Sequence, residues 1–163
     1  MVELRQFIAA DEALLVSYLN DAAVTRYLSA RLPQPYTHEA ASWWVHTGSK
    51  VGVVKAILQD GALVGAISAL PGEFERQKSA EMGYWVARPF WGQGIAAEAL
   101  AQFTPALFLT TELVRLHASV FEDNPASAKV LEKCGFTLEA KLAKALYKNG
   151  QCFDELHYAK VRV

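Results

Sequence analysis

Trp-Gly-Gln-Gly-Ile-Ala-Ala, residues 91–97, is the stretch from which the rest of this 163-residue chain can be read. Ahead of it, Ser79–Ala87 is rich in aromatic and apolar residues and is closed by Arg88-Pro89, which predicts a strand. After it come the helix formers Ala97–Phe103, with an apolar stripe at Ile95, Ala96, Ala99, Leu100 and Phe103. Strand, glycine turn, helix is the expected order. Two glycines two apart let the backbone bend tightly and approach a ligand with no Cβ in the way. The first turn of a helix adds unpaired N–H groups and the positive end of the dipole. A pyrophosphate is therefore expected over the backbone of Gly92–Ala96. Two other readings stand beside it: the glycines merely turn the chain, or Gly92, Gly94 and Ala97 form the Gly-x-Gly-x-x-Gly/Ala fingerprint of a dinucleotide fold.

The flanking sequence decides between them. Val2–Ile8 alternates apolar and polar residues and predicts a first strand; Asp11 is placed to cap a helix through Asn20. Asp21–Leu28 reads as a second short helix, and Ser29–Thr37, with Pro33 and Pro35, as a loop. A third helix runs from Thr37 to near Gly48 and carries Trp43 and Trp44, one expected inward and one half-covered. Val51–Gln59 and Ala62–Leu70 form a hairpin about Asp60-Gly61, followed by a polar loop, Pro71–Lys78. The helix after Gly94 reaches about Thr110, with a kink or restart expected at Pro105. Arg115–Phe121 is a further strand. Asn124 then caps a helix with Pro125 at its first position and Gly135 at its end. Phe136–Lys148 and Gln151–Val163 close the chain as a hairpin about Asn149-Gly150. A Rossmann fold needs its fingerprint after the first strand, repeated βαβ units and an acidic residue at the next strand end. Here the fingerprint is mid-chain between hairpins, and Glu112 precedes the next strand. The dinucleotide reading fails on context.

Composition bounds the class. The length fits one domain over residues 1–163, and 52% hydrophobic with 20% charged residues fits a compact fold. A net charge of −1 argues against DNA or RNA as the main partner. Cys134 and Cys152 lack metal-ligand or disulfide-framework spacing, so no metal and two reduced thiols are expected. The opening Met-Val-Glu-Leu-Arg-Gln-Phe has no signal-peptide layout and no apolar run reaches membrane length. A cytoplasmic chain with no membrane partner is the expectation.

The motifs Ala80-Glu-Met-Gly-Tyr-Trp-Val86, Pro89-Phe-Trp-Gly-Gln-Gly-Ile-Ala-Ala-Glu-Ala-Leu100, Arg115-Leu-His-Ala-Ser-Val120, Asn124-Pro-Ala-Ser127 and Val130-Leu-Glu-Lys-Cys-Gly-Phe136 follow in order. Together they resemble the GCN5-related N-acetyltransferase (GNAT) family, in particular its ribosomal-protein N-terminal (RimJ/RimL-like) branch. The resemblance implies an α+β fold: a mixed, mostly antiparallel sheet of about seven strands flanked by about four helices. Its two middle strands, near Met82–Val86 and Leu116–Val120, would run parallel and splay apart. Acetyl-CoA would be the acyl donor, its pantetheine arm along Tyr84, Trp85 and Val86 and its pyrophosphate on Trp91, Gly92, Gln93, Gly94, Ile95 and Ala96. Asn124 would reach the pantetheine amides, and Ser127 would lie near the sulfur. The acceptor, a small-molecule amine or a protein N-terminus, would approach from the other side of a monomer or homodimer. Two positions depart from the family pattern. Trp91 replaces a Gln or Arg, and Leu131 replaces the tyrosine that in many members protonates the leaving thiolate.

Acyl transfer to an amine needs a neutral amine, a polarised carbonyl and a proton for the departing sulfur. Glu81, on one strand face with Gly83 and Trp85, is the candidate base; a solvated strand glutamate is the equal alternative. Ser127 is the candidate proton donor, directly or through water, and equally a plain first-turn serine. Asn124 is read toward the cofactor, although capping alone accounts for it. His117 is read as structural and Glu98 as a helix-dipole partner. Asp154, Glu155 and Tyr147 beside the last hairpin either attract a cationic amine or form ordinary surface. Two functions follow: an acetyl-CoA-dependent N-acetyltransferase working in a ternary complex, or, as the alternative that the missing tyrosine permits, a non-catalytic acyl-CoA-binding module.

Overall fold

A computed structural model describes residues 1–163. The strands are β1 (Val2–Arg5), β2 (Val53–Gln59), β3 (Ala62–Pro71), β4 (Ser79–Val86), β5 (Arg115–Phe121), β6 (Thr137–Lys148) and β7 (Gln151–Val161). The helices are α1 (Glu12–Leu19), α2 (Ala22–Thr25), α3 (His38–His46), α4 (Ile95–Thr110) and α5 (Pro125–Lys133). One sheet takes the strands in the order β1-β2-β3-β4-β5-β7-β6, and β4 and β5 are its parallel pair. The helices number five because Asp21, whose side chain accepts from the Ala23 N–H, caps the single turn of α2. By internal contacts the chain forms two compact units, Met1–Ser68 with Tyr84–Ala99, and Ala69–Gly83 with Leu100–Val163.

The first unit has its core among Phe7, Leu15, Leu19, Val45, Ala56 and Leu58. Its hairpin turns at Asp60 and Gly61, both at positive φ (51° and 84°), the geometry expected of an Asp-Gly turn between twisted strands. Thr37 caps α3 through its hydroxyl, which accepts from the Ala40 N–H at 3.1 Å. Trp44 packs on the core with its ring edge-on to Phe7, 5.9 Å between centroids. Trp43 lies further out than expected, 61% exposed, because the buried side of α3 is already filled by Ala41 and Val45.

Asp11 stands at the N-cap position of α1 as expected, but its side chain is engaged elsewhere. It makes no cap bond to α1. Its buried carboxylate instead takes both arms of the Arg5 guanidinium, at 2.8 and 2.9 Å, and the Ile8 N–H at 2.9 Å. This clamp turns the chain out of the sheet, so β1 ends at Arg5 and not at Ile8. Burial alone would raise the Asp11 carboxyl, but the Arg5 fork and the Ile8 N–H outweigh it and hold it below the usual carboxylate range. A lowered folded-state pKa stabilises the fold above the ordinary aspartate value of about 4 and stops doing so as pH falls through the lowered value. Asp11→Asn is expected to cost about 1.5–3 kcal/mol at pH 7 and to flatten the acid limb of a stability-versus-pH curve, as read by urea unfolding.

In the second unit, β5 buries Leu116, Ala118 and Val120 on one face, and α5 adds Leu131. The parallel ladder is short: Ser79, Ala80 and Glu81 face Arg115, Leu116 and His117, and it stops there. β7 pairs along the whole of β5, and β6 pairs with β7 with register shifts between Leu138 and Ala140 and between Leu142 and Leu146. Asn149 and Gly150, at φ 53° and 77°, close that hairpin. α4 runs through Pro105 as one helix, so the chain does not restart there. The ring removes the N–H that would reach the Ala101 carbonyl, but both residues are exposed, so water can serve that carbonyl. Buried Phe103 and Leu107 hold the helix on either side.

Candidate functional site

In the first unit the end of β4 and the glycine turn make one continuous backbone surface. Gly65 of β3 permits it: a Cβ there would lie 2.1 Å from the Trp85 carbonyl oxygen, so only glycine lets the two strands approach. Tyr84, Trp85 and Val86 are half-buried. The Trp85 ring sits edge-on to Tyr18, at 6.3 Å, and the Tyr18 hydroxyl donates to the Leu63 carbonyl at 3.0 Å. Trp91 donates its indole N–H to the Val86 carbonyl at 2.7 Å. The residue that departs from the family pattern thus ties the turn back to the strand end. Gln93 is held by Gln59, whose amide donates to it at 3.2 Å.

Gly92 and Gly94 both adopt positive φ, 76° and 73°, and a Cβ built on either meets no atom within 4 Å. Open space over a glycine backbone is what a phosphate group needs for close approach. The first α4 ladder bond runs from the Glu98 N–H to the Gly94 carbonyl, so the Ile95 and Ala96 amides lie ahead of the ladder. Ile95 is buried and anchors the turn while Gly92, Gln93 and Gly94 stay exposed. Glu98 accepts from the Val2 N–H at 3.1 Å, a structural use. The residues predicted to hold a pyrophosphate therefore come together and fit one.

The second unit holds the predicted chemistry. Glu81 is exposed and lies opposite His117 in the parallel ladder. Asn124 caps α5, its side-chain oxygen accepting from the Ser127 N–H at a long 3.4 Å. That leaves the amide nitrogen as the donor this side chain could present to a ligand. Ser127 is half-buried in the first turn of α5. Leu131, in the tyrosine position, is fully buried and offers no proton.

Three acidic and aromatic residues near the last hairpin separate in role. Asp154 accepts from the Lys144 N–H at 2.9 Å and pins the β6 bulge; Tyr147 is 72% exposed. Glu155 reaches Nδ1 of His157 at 3.2 Å, and His157 stacks on His117. Neither His157 nor Gly65 stood out in the sequence. The strand register of β5 with β7, and of β3 with β4, is what gives them neighbours.

Residues 2–137 match the family model described as an acetyltransferase (GNAT) domain. YdaF of Bacillus subtilis is 34% identical over 111 residues, 68% of this chain and 60% of that protein. The ribosomal-protein-serine acetyltransferase of Escherichia coli is 34% identical over 109 residues, 64% of this chain and 58% of that protein. The matched segments thus span less than two thirds of both relatives. The solved structure of RimL, the ribosomal L7/L12 α-N-protein acetyltransferase in complex with coenzyme A, superposes with a TM-score of 0.87 at 24% identity, over 99% of this chain and 94% of that one. No helix of the chain is long and apolar enough to cross a membrane.

Proposed function

The chain belongs to the GNAT acetyltransferase family, and on that premise we propose that it moves the acetyl group of acetyl-CoA directly to a primary amine in a ternary complex. The turn carries this reading: two positive-φ glycines with open space above them, leading into the N-terminus of the 16-residue α4. The backbone of Tyr84–Val86 takes the pantetheine arm, and Trp91–Ala96 takes the pyrophosphate. The Asn124 amide steadies the arm. The donor supplies an activated thioester carbonyl. Glu81 removes the proton from the amine, and Ser127, directly or through water, protonates the departing sulfur in place of the absent tyrosine. We read residues 1–163 as one domain for this chemistry, cytoplasmic and monomeric or homodimeric.

Calorimetry with acetyl-CoA and with NADH tests the donor; tight NADH binding with a silent acetyl-CoA titration would overturn it. Release of free coenzyme A with a panel of amines tests transfer and separates an enzyme from a module that only binds the donor. A peptide beginning with serine heads the panel, because the E. coli relative is named for a ribosomal-protein serine; polyamines, aminoglycosides and amino acids follow. Ser127→Ala is expected to lower kcat by less than any loss of the base, since water can reach a half-buried position. A Ser127→Ala variant as impaired as a Glu81 variant would make the serine, and not water, the essential donor.

A further inference from the structure

Beside Glu81, the second unit carries side chains that neither the helix caps nor the core uses. The β5–β7 ladder sets Ser119 opposite His157 and Phe121 opposite Glu155, while the parallel ladder sets Glu81 opposite His117. Alternate residues of a strand share a face. Leu116, Ala118 and Val120 occupy the buried face of β5, so Glu81, His117, His157 and Glu155 share the other one. The two imidazoles stack with centroids 5.3 Å apart and planes 22° from parallel. Nδ1 of His157 lies 3.2 Å from the Glu155 carboxylate, and the two side chains are 25% and 14% exposed.

We propose that His117 and His157 form one coupled proton-accepting pair that takes the amine's proton from Glu81 and passes it to solvent. The proposal deepens the transferase reading above and rests on it. An acceptor amine enters as RNH3⁺. Glu81 removes one proton, and the neutral nitrogen attacks the thioester carbonyl. The C–S bond breaks as the C–N bond forms, and the sulfur takes its proton from Ser127 or water. The nitrogen's one remaining excess proton returns to Ser127 or water and restores that donor, so the proton left over is the one that Glu81 holds. The sum, RNH3⁺ plus acetyl-CoA giving the acetamide, coenzyme A and one H⁺, requires one proton to leave the site in each turnover. Glu81 must therefore be emptied every cycle, and a neutral imidazole next to it on the same face can do that.

The surroundings suit the task. Burial lowers the proton affinity of His117, and the neighbouring His157 adds to this; Glu81 acts in the opposite sense, and Arg115 and Arg76 lower it again. Glu139 of β6 also acts on both rings, but its carboxylate is bound to Arg115 through two contacts at 2.5 and 2.9 Å. Two stacked rings resist holding two cations, so a proton on one weakens the hold of the other. Glu155 supplies the counter-charge at the His157 end, with its carboxylate 3.2 Å from Nδ1.

Imidazole NMR titrations of the full chain, with pH profiles of kcat/KM for a verified amine, test this. His157→Gln is expected to move the His117 midpoint upward. His117→Gln should lower kcat/KM several-fold near neutral pH, with activity recovering as the pH is raised and on addition of free imidazole. An unmoved His117 midpoint in folded His157→Gln would overturn the coupling. A His117→Gln profile that superposes on wild type would overturn the relay. If the wild-type chain released no coenzyme A with any amine of the panel, the transferase reading itself would fall; the NMR arm reads the coupling without any turnover, so the two failures are distinct.

Discussion

Glu81→Gln is expected to lower kcat by about 10²–10⁴ on the physiological amine, the range that a positioned general base contributes. The substitution keeps the shape of the side chain and removes its ability to hold a proton. Glu81 is exposed at the end of a three-residue parallel ladder, so its loss should leave stability nearly unchanged. An alkylamine with a pKa near that of lysine, about 10.4, is almost entirely protonated at pH 7. The variant should therefore regain rate as pH rises and solvent takes over the deprotonation. Steady-state kinetics from pH 6 to about pH 10 read this directly. A variant with wild-type kcat and an unchanged profile would make Glu81 structural and move the base to another carboxylate.

Gly94→Val should weaken acetyl-CoA binding tenfold or more, at least about 1.4 kcal/mol. Two effects combine. A residue with a Cβ held at φ 73° pays roughly 1–2 kcal/mol in backbone strain, and a branched one is especially unsuited. The new side chain would also stand in the space that is open above the turn. Because that space holds no protein atoms within 4 Å, the fold is expected to survive, and thermal unfolding checks this. Calorimetry then reads the affinity. Undiminished binding by a folded variant would place the phosphates elsewhere on the chain.

Features written in local chemistry were legible from the sequence. Asp60-Gly61 and Asn149-Gly150 turn as their residue types require, Thr37 and Asn124 cap, and Gly135 ends α5 at φ 85°. The glycine turn was legible for the same reason: Gly92 and Gly94 announce the positive φ that both adopt. The position of Asp11 was legible but its side chain was not: it stands at the N-cap of α1, while its partner, Arg5, lies in the preceding strand. Pro105 does not restart the helix, because the cost of a helical proline depends on whether the orphaned carbonyl is wet. The site residues divide the same way. Gly65 and His157 gain their meaning only from register across strands far apart in the chain, which no local pattern records.

The two rims of the sheet differ in a way that bears on how the protein behaves at high concentration. β1 is only four residues long and offers little to an approaching strand. β6 is twelve residues long and exposes Leu138, Leu142 and Tyr147, a combination that invites strand-on-strand growth between molecules. Its shape opposes that. Lys144 sits at φ 52° in the interrupted register, with its N–H turned to Asp154 and not outward, and Lys141, Lys144 and Lys148 punctuate the same strand. A second molecule adding its own strand there would have to straighten the bulge and set cations against its backbone. A local irregularity thus guards the long edge: Asp154→Ala, which frees the Lys144 amide, is expected to raise light scattering as the protein is concentrated.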